Sequence, residues 1–243
     1  DRAEYMGDAD FYKVPVAMLT NDVYLQDRMK NYDSTKATPS HDIKPGFLQA
    51  AKESEETTHL SVIDKEGNAV AVTTTLNNSY GSRTVVGGAG FFLNDEMDDF
   101  SIKPGVPNMY GAIGGEANAI HAGKRMLSSM APTVVLKDNK PFLVVGTPGG
   151  TTIPTSVFQT LVNIIEFGMS TEDAVYKPKF HHQWLPDEIN VESGFPMKTM
   201  EVLQKMGYVT IDRGEIGRTE VIKVLPGNKF EAVADNRGDD DAR

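Results

Sequence analysis

The amino-acid sequence predicts a layered α+β domain, and three observations carry that expectation. Residues 57–77 read as a two-stranded ribbon, residues 154–178 as two consecutive helices, and residues 220–234 as a further pair of strands. Strands, then adjacent helices, then strands again favour an αββα arrangement over a doubly wound sheet, in which the two element types would alternate. The chain has no internal repeat, and its 243 residues suffice for one large or two small domains.

Taken in order, residues 1–14 are polar and aromatic, without clear periodicity. From Pro15 to Asn31, Val16, Leu19, Val23 and Met29 give a helix an apolar stripe, with Pro15 suited to the first turn. Residues 33–56 change character, from Ser, Thr, Pro and Gly to the charged Lys52-Glu53-Ser54-Glu55-Glu56. That composition predicts a solvated, mobile connector ending just before the ribbon.

In the ribbon, Thr57-His59-Ser61-Ile63 alternates with Thr58-Leu60-Val62-Asp64, the period of two of a pleated strand. Lys65-Glu66-Gly67 supplies a three-residue loop, with Gly67 where a left-handed residue closes a bulge. The return strand, Asn68 to Asn77, is rich in Val and Thr. If Asp64 faces Asn68, Thr57 falls opposite Thr75, with Cβ atoms about 5 Å apart on one face. Asn77 follows two residues later on that face, and a one-residue slip would destroy the pairing.

Beyond the ribbon come a Gly-rich passage and the acidic run Asn94 to Asp99. Pro104 to Gly115 then carries too many Pro and Gly residues for a regular element and reads as a functional loop. Thr133–Lys137 and Phe142–Gly146 predict a buried hairpin, and Thr147-Pro148-Gly149-Gly150 leads into a helix over 154–167. Ser170 caps the next helix, with Asp173 three residues on and Pro178 as its stop. Residues 197–206 predict a third helix ended by Gly207, and Pro226-Gly227-Asn228 turns the last strand pair. The Asp239-Asp240-Asp241 tail is expected to fray.

A formal net charge of −10 argues against nucleic acid or an anionic membrane as the main partner. No apolar run approaches the roughly 20 residues of a membrane-spanning helix. Cysteine is absent, which removes disulfides, thiolate metal sites and a cysteine nucleophile. No signal peptide is present, and the start at Asp1 reads as an internal cut.

Several residues bear chemistry. Thr57 is a nucleophile only if a base takes its proton, and a free α-amine on the same residue can do so, given cleavage of Glu56–Thr57. Its unperturbed pKa near 7.7–8.0 suits that task; otherwise Thr57 is an ordinary strand residue. The Gly149–Gly150 turn suits an oxyanion or phosphate through its N–H groups, or is a plain strand-to-helix turn; the Walker pattern is not met. Asp95, Glu96, Asp98 and Asp99 form either a site for an ammonium or cation or a solvated turn. Ser128-Ser129 offers hydroxyl donors to a carboxylate, or caps an element. His181-His182 is no metal pair, because sequence neighbours rarely point the same way.

In order and spacing, TTHLSVIDKEGNAVAVTTTLN, LNDEMDDFSIKPGVPN, KRMLSSMAPT, GTPGGTT and PKFHHQWLPDE together closely resemble the γ-glutamyltransferase (γ-glutamyltranspeptidase) family. The resemblance runs from the first residues to about Asp240. It implies a four-layer αββα N-terminal nucleophile hydrolase, of which this chain supplies part, made as a precursor that cuts itself. Residues 1–56 would be the tail of the large subunit and its connector, and residues 57–243 the small subunit. Thr57 would be the nucleophile of both self-cleavage at Glu56–Thr57 and catalysis, with Thr75 assisting.

By the same resemblance, Asn77, Glu96 and Asp99 would hold the substrate's α-amino group, and Ser128 and Ser129 its α-carboxylate. The Gly149 and Gly150 amides would form the oxyanion hole, and Pro104 to Gly115 a lid whose Tyr110 reaches toward Asn77. The substrates implied are glutathione and other γ-glutamyl compounds, with acceptor amino acids, peptides or water. The large subunit of the same precursor would be the partner, the location periplasmic or extracellular, and no metal or organic cofactor is implied. The family's carboxylate-clamping arginine belongs to sequence upstream of Asp1; neither Arg2 nor Arg28 lies in a matching motif. The rivals are a related acylase acting on a cephalosporin-type amide, and an inactive fragment.

Overall fold

The computed structural model describes residues 1–44, 57–109 and 111–243. Helices α1 (Arg2–Tyr5), α2 (Val16–Leu19) and α3 (Asp22–Arg28) open the chain, and strands β1 (Thr57–Ile63) and β2 (Ala69–Thr75) form the ribbon. Strands β3 (Thr133–Lys137) and β4 (Lys140–Gly146) lead into α4 (Ile153–Ile165) and α5 (Thr171–Tyr176). Strands β5 (Phe180–His181) and β6 (Ile189–Val191), helix α6 (Met197–Met206), and strands β7 (Thr210–Asp212), β8 (Glu220–Leu225) and β9 (Lys229–Val233) complete it.

Sheet order is β3-β4-β8-β9, antiparallel throughout. The β1-β2 ribbon packs on one face of this sheet and α4 and α5 on the other, giving three layers of the expected sandwich. Strand β4 is central, so its side chains are buried in both directions. Leu143 and Val145 join Ile153, Val157, Ile164, Ala174, Val175 and Val221 in the main core under the helices. On the ribbon side, a Cβ placed on Gly146 would lie 2.0 Å from Cε1 of His59.

That contact explains a glycine inside a strand. The His59 ring is buried, with Nδ1 2.8 Å from Thr73 Oγ1 and Nε2 3.0 Å from Ser61 Oγ. Burial pushes its pKa down to about 4, so the ring is neutral at neutral pH. Gly146→Ala has no room to relax and is expected to cost about 1–3 kcal/mol, read by chemical denaturation. Adding His59→Ala should recover part of that loss, because the two residues share one contact; a Gly146→Ala melt identical to wild type would contradict the packing.

The ribbon register is the predicted one, with Thr57 opposite Thr75 and Gly67 at φ 87°. The single helix expected over Pro15–Asn31 is instead two short ones, because the Asn21 side chain accepts from Val23 N and Tyr24 N and starts a new helix. Its apolar stripe is exposed at Val16, Val23 and Met29 rather than buried. The 133–146 hairpin forms, but Val134 and Leu136 of its edge strand are exposed.

The connector is not wholly free. Ser40 is buried, donating from N and Oγ to Asp187 at 2.8 and 2.6 Å, while residues 45–56 lie outside the described residues. The acidic tail is tethered as well, with Arg218 Nη1 3.4 Å from Asp239 and 3.7 Å from Asp240. Among the described residues no helix is long and apolar enough to cross a membrane.

Candidate active site

The end of the ribbon, the acidic turn, the serine pair and the glycine turn converge on one cleft. Thr57, Thr75, Asn77, Asp99, Ser128, Ser129 and Gly150 line it together with Arg2. These residues are scattered over most of the sequence and arrive on several separate segments.

The ribbon places the two threonines. Thr57 Oγ1 donates to Thr75 Oγ1 at 3.4 Å, and Thr75 Oγ1 also accepts the Asn77 N–H at 2.9 Å. Asn77 is buried at φ 76°, a left-handed conformation that Asn tolerates better than most residues. Its Nδ2 lies 3.4 Å from the Asp95 carbonyl, which ties the ribbon to the acidic turn.

In that turn the four carboxylates have separate uses. Asp95 accepts the Asn78 N–H at 3.0 Å, and Asp98 accepts the Met109 N–H at 2.9 Å, so both hold loops in place. Asp99 faces the cleft; Glu96 stands beside it without lining it. The Asp99 pKa is pushed up to about 7, by burial first and then by Glu96, Asp98 and Asp95, with Arg2 pulling the other way. Burial, then Asp95, raises the Glu96 pKa as well. A buried carboxylate strained in this way gains when a cation arrives.

Strand β4 delivers the glycine turn. Thr147, fully buried, donates from Oγ1 to the Pro148 carbonyl at 2.7 Å and accepts the Arg218 N–H at 2.8 Å. Gly149 (φ 134°) and Gly150 (φ 53°) adopt backbones that disfavour side chains. A Cβ on Gly149 would sit 2.5 Å from Thr152 Oγ1 and 3.3 Å from Gly217 Cα. Among the described residues neither glycine N–H is spent on a protein acceptor. Together they form a preorganised donor turn at the start of α4, suited to developing negative charge.

Ser128 Oγ accepts the Met130 N–H at 3.0 Å, and Ser129 Oγ accepts from Arg2 Nη2 at 3.0 Å. Arg2 is the residue sequence reasoning missed. It stands in a polar stretch without periodicity, and only the long-range fold carries it to Ser129. Tyr110 and Glu56 lie outside the described residues, and of the two glycines Gly150 lines the cleft.

His181 and His182 point to different partners. His181 is buried between Thr155 Oγ1 (2.8 Å) and Gln183 Oε1 (3.0 Å), whereas His182 Nε2 lies 3.5 Å from Asp187. Gln183 Oε1 also accepts from Thr151 Oγ1 at 2.7 Å, bracing the glycine turn from behind.

The family described as Gamma-glutamyltranspeptidase matches residues 1–243. The glutathione hydrolase proenzyme of Escherichia coli (strain K12) is 50% identical over 241 residues, covering 99% of this chain and 41% of that protein. This chain thus spans about two fifths of the length of that protein and of the Pseudomonas aeruginosa glutathione hydrolase proenzyme, to which it is also 50% identical. A crystal structure of Helicobacter pylori gamma-glutamyltranspeptidase superposes with TM-score 0.72 at 54% identity, over 74% of this chain and all of that one. Cephalosporin acylase from Bacillus halodurans superposes with TM-score 0.79 at 25% identity, over 97% of this chain and 40% of that one. The α+β architecture is therefore that of the N-terminal nucleophile hydrolases, and the chain belongs to the gamma-glutamyltranspeptidase family.

Proposed function

We propose that the protein containing this chain hydrolyses or transfers γ-glutamyl groups from glutathione-like amides, with Thr57 as nucleophile. The observation that carries this reading is the convergence of a threonine pair, a buried acid and a serine pair on one cleft, with the glycine turn at its wall. Thr57 Oγ1 first attacks the Glu56 carbonyl; the peptide shifts from nitrogen to oxygen, and water hydrolyses the ester. Residues 1–56 then end the large subunit, and residues 57–243 are the small one. The Helicobacter pylori chain, matched in full by about three quarters of this sequence, supports that division.

The freed α-amine of Thr57 takes the hydroxyl proton as Oγ1 attacks the substrate's γ-carbonyl. The Gly149 and Gly150 N–H groups stabilise the tetrahedral oxyanion. The leaving amine departs with the proton, and water or an acceptor amino acid or peptide cleaves the resulting ester. Asn77, Glu96 and Asp99 receive the substrate ammonium, and Ser128 and Ser129 the α-carboxylate. By family resemblance Tyr110, which lies outside the described residues, would belong to a lid over the pocket. We place the enzyme in the periplasm or outside the cell by family resemblance, which fractionation of producing cells would test.

Turnover of γ-glutamyl p-nitroanilide by the full-length precursor tests the reading. Release of nitroaniline, with little hydrolysis of a glutaryl cephalosporin amide, is expected. The reverse preference would favour the acylase reading that the Bacillus halodurans neighbour suggests.

A pH dependence follows from Asp99. Ammonium binding requires its ionised form, so kcat/KM should fall about tenfold per pH unit below about 7. Asp99→Asn should flatten that limb; an unchanged limb would assign it elsewhere. The same group binds its proton more tightly folded than unfolded. Its contribution to stability is therefore present at low pH and lost as pH rises from 3.8 through about 7.

A further inference from the structure

Thr151, Thr155 and Gln159, on α4 and the single 3₁₀ turn before it, all reach the short segment 180–183. Their four-residue spacing is that of one helical face. Gln159 takes the Phe180 backbone at both ends, its Nε2 donating to the Phe180 carbonyl at 2.7 Å and its Oε1 accepting the Phe180 N–H at 3.1 Å. Thr155 Oγ1 lies 2.8 Å from His181 Nδ1, and Thr151 Oγ1 donates to Gln183 Oε1 at 2.7 Å. In order, these contacts close a polar zipper along α4 that ends at the cleft, which Gly150 and Thr151 both line.

His181 is the centre of the zipper and is buried. Gln183 Oε1 is a carbonyl oxygen and can only accept, so His181 Nε2, 3.0 Å away, carries a proton and donates it. In the uncharged ring Nδ1 is then the acceptor, facing the Thr155 hydroxyl. That hydroxyl has the Thr152 carbonyl as a second acceptor at 2.9 Å, which couples the ring to the residue after Thr151. One imidazole thereby grips the start of α4 at two points a full turn apart.

The start of α4 needs such a grip. Gly149 (φ 134°) and Gly150 (φ 53°) give the chain between β4 and α4 more conformational freedom than any other residue type would. An oxyanion donor, by contrast, works only where it is aimed in advance. Thr152 steadies one part of the turn, its N and Oγ1 donating to the Gly149 carbonyl at 2.9 and 2.7 Å. We propose that His181 and Gln183 are positioning residues, setting the Gly150 N–H for catalysis through Thr151. This rests on the reading of the glycine turn as an oxyanion hole, and names two residues that do not line the cleft.

The test uses the full-length protein, with rates expressed per processed chain. Thr151→Val and Gln183→Met keep the volume and each remove one end of the same hydrogen bond. Each should lower kcat by about 10- to 100-fold and leave KM within about twofold of wild type. The double variant should fall no further than the slower single one, because both break one contact. Thr151→Ser, which keeps the hydroxyl, should recover most of the rate. His181→Phe should reproduce the Gln183→Met result; where that buried replacement fails to fold, the Thr151 and Gln183 variants carry the test. Losses that multiply in the double variant, that fall in KM, or that Thr151→Ser shares would overturn the assignment.

The second measurement is inhibition by a boronic acid analogue of the acyl group, which a hydroxyl nucleophile converts to a tetrahedral anion. Its affinity should fall in parallel with kcat in Gln183→Met, while that of the product acid stays unchanged. An equal loss for both ligands would make the zipper a structural tether only. Kinetics are read on whichever amide wild type cleaves, γ-glutamyl p-nitroanilide or the glutaryl cephalosporin amide. Failure of the γ-glutamyl reading thus appears as absent anilide turnover by wild type. Failure of the zipper appears as an unaltered kcat in Thr151→Val and Gln183→Met.

Discussion

Thr57→Ala in the full-length precursor is expected to leave a single uncut chain with no γ-glutamyl anilide hydrolysis. Both losses have one cause. The substitution removes the hydroxyl that the ribbon register sets beside Thr75 Oγ1 at the mouth of the cleft. Without it there is no nucleophile for the Glu56 carbonyl, no free amine to act as base, and no ester intermediate. Activity should drop by several orders of magnitude, since nucleophile and base are lost together. Thr75→Ala keeps the nucleophile but loses its neighbour and the Asn77 N–H acceptor, so slow processing with reduced kcat is expected. Intact-mass analysis reads the first effect and anilide kinetics the second; normal cleavage and turnover by Thr57→Ala would dismiss the mechanism.

Arg237→Ala carries the largest expected loss of stability. The side chain, 9% exposed, donates to both Glu192 oxygens at 2.6 and 2.7 Å and to Asp235 at 2.7 Å. It also caps the end of α5 through the Val175 and Lys177 carbonyls at 3.1 and 3.2 Å. Its removal leaves two buried carboxylates with Lys179 as their remaining cation, itself held below its usual pKa by burial. Breaking one partner of such a buried network costs about 3–5 kcal/mol, read as a lowered urea midpoint.

The damage should reach the site. Asp235 accepts the Thr219 N–H at 2.7 Å, and Glu192 the Ile216 N–H at 2.6 Å, so the network fixes the segment whose Gly217 backs Gly149. Any folded Arg237→Ala enzyme should therefore lose kcat more than KM. A variant melting within about 0.5 kcal/mol of wild type would contradict this role.

Local chemistry made much of this fold legible before any coordinates. Alternation and Gly67 fixed the ribbon register; Ser170, Gly207 and the 226–228 turn marked element ends through caps and turns. These signals are written in neighbouring residues. The splitting of the Pro15–Asn31 helix was missed because Asn21 reads as a plain helical residue until its side chain caps. The small β5-β6-β7 sheet was missed because strands of two or three residues have no period to detect. Arg2 and Ser40 acquire meaning only through partners 127 and 147 positions away, which spacing does not encode. At the site, the threonine pair was derived from register, whereas the grouping of Asp99, Ser128 and Gly150 rested on family likeness until the cleft joined them.

The central claim is that Thr57, freed by cleavage, forms the acyl-enzyme. Peptide mapping of the processed full-length enzyme after treatment with the diazoketone analogue of glutamine tests it most directly. The account predicts one adduct, on the peptide that begins at Thr57, with activity lost in proportion to labelling. An adduct on another residue, or full labelling of a chain in which Glu56 and Thr57 remain joined, would contradict it.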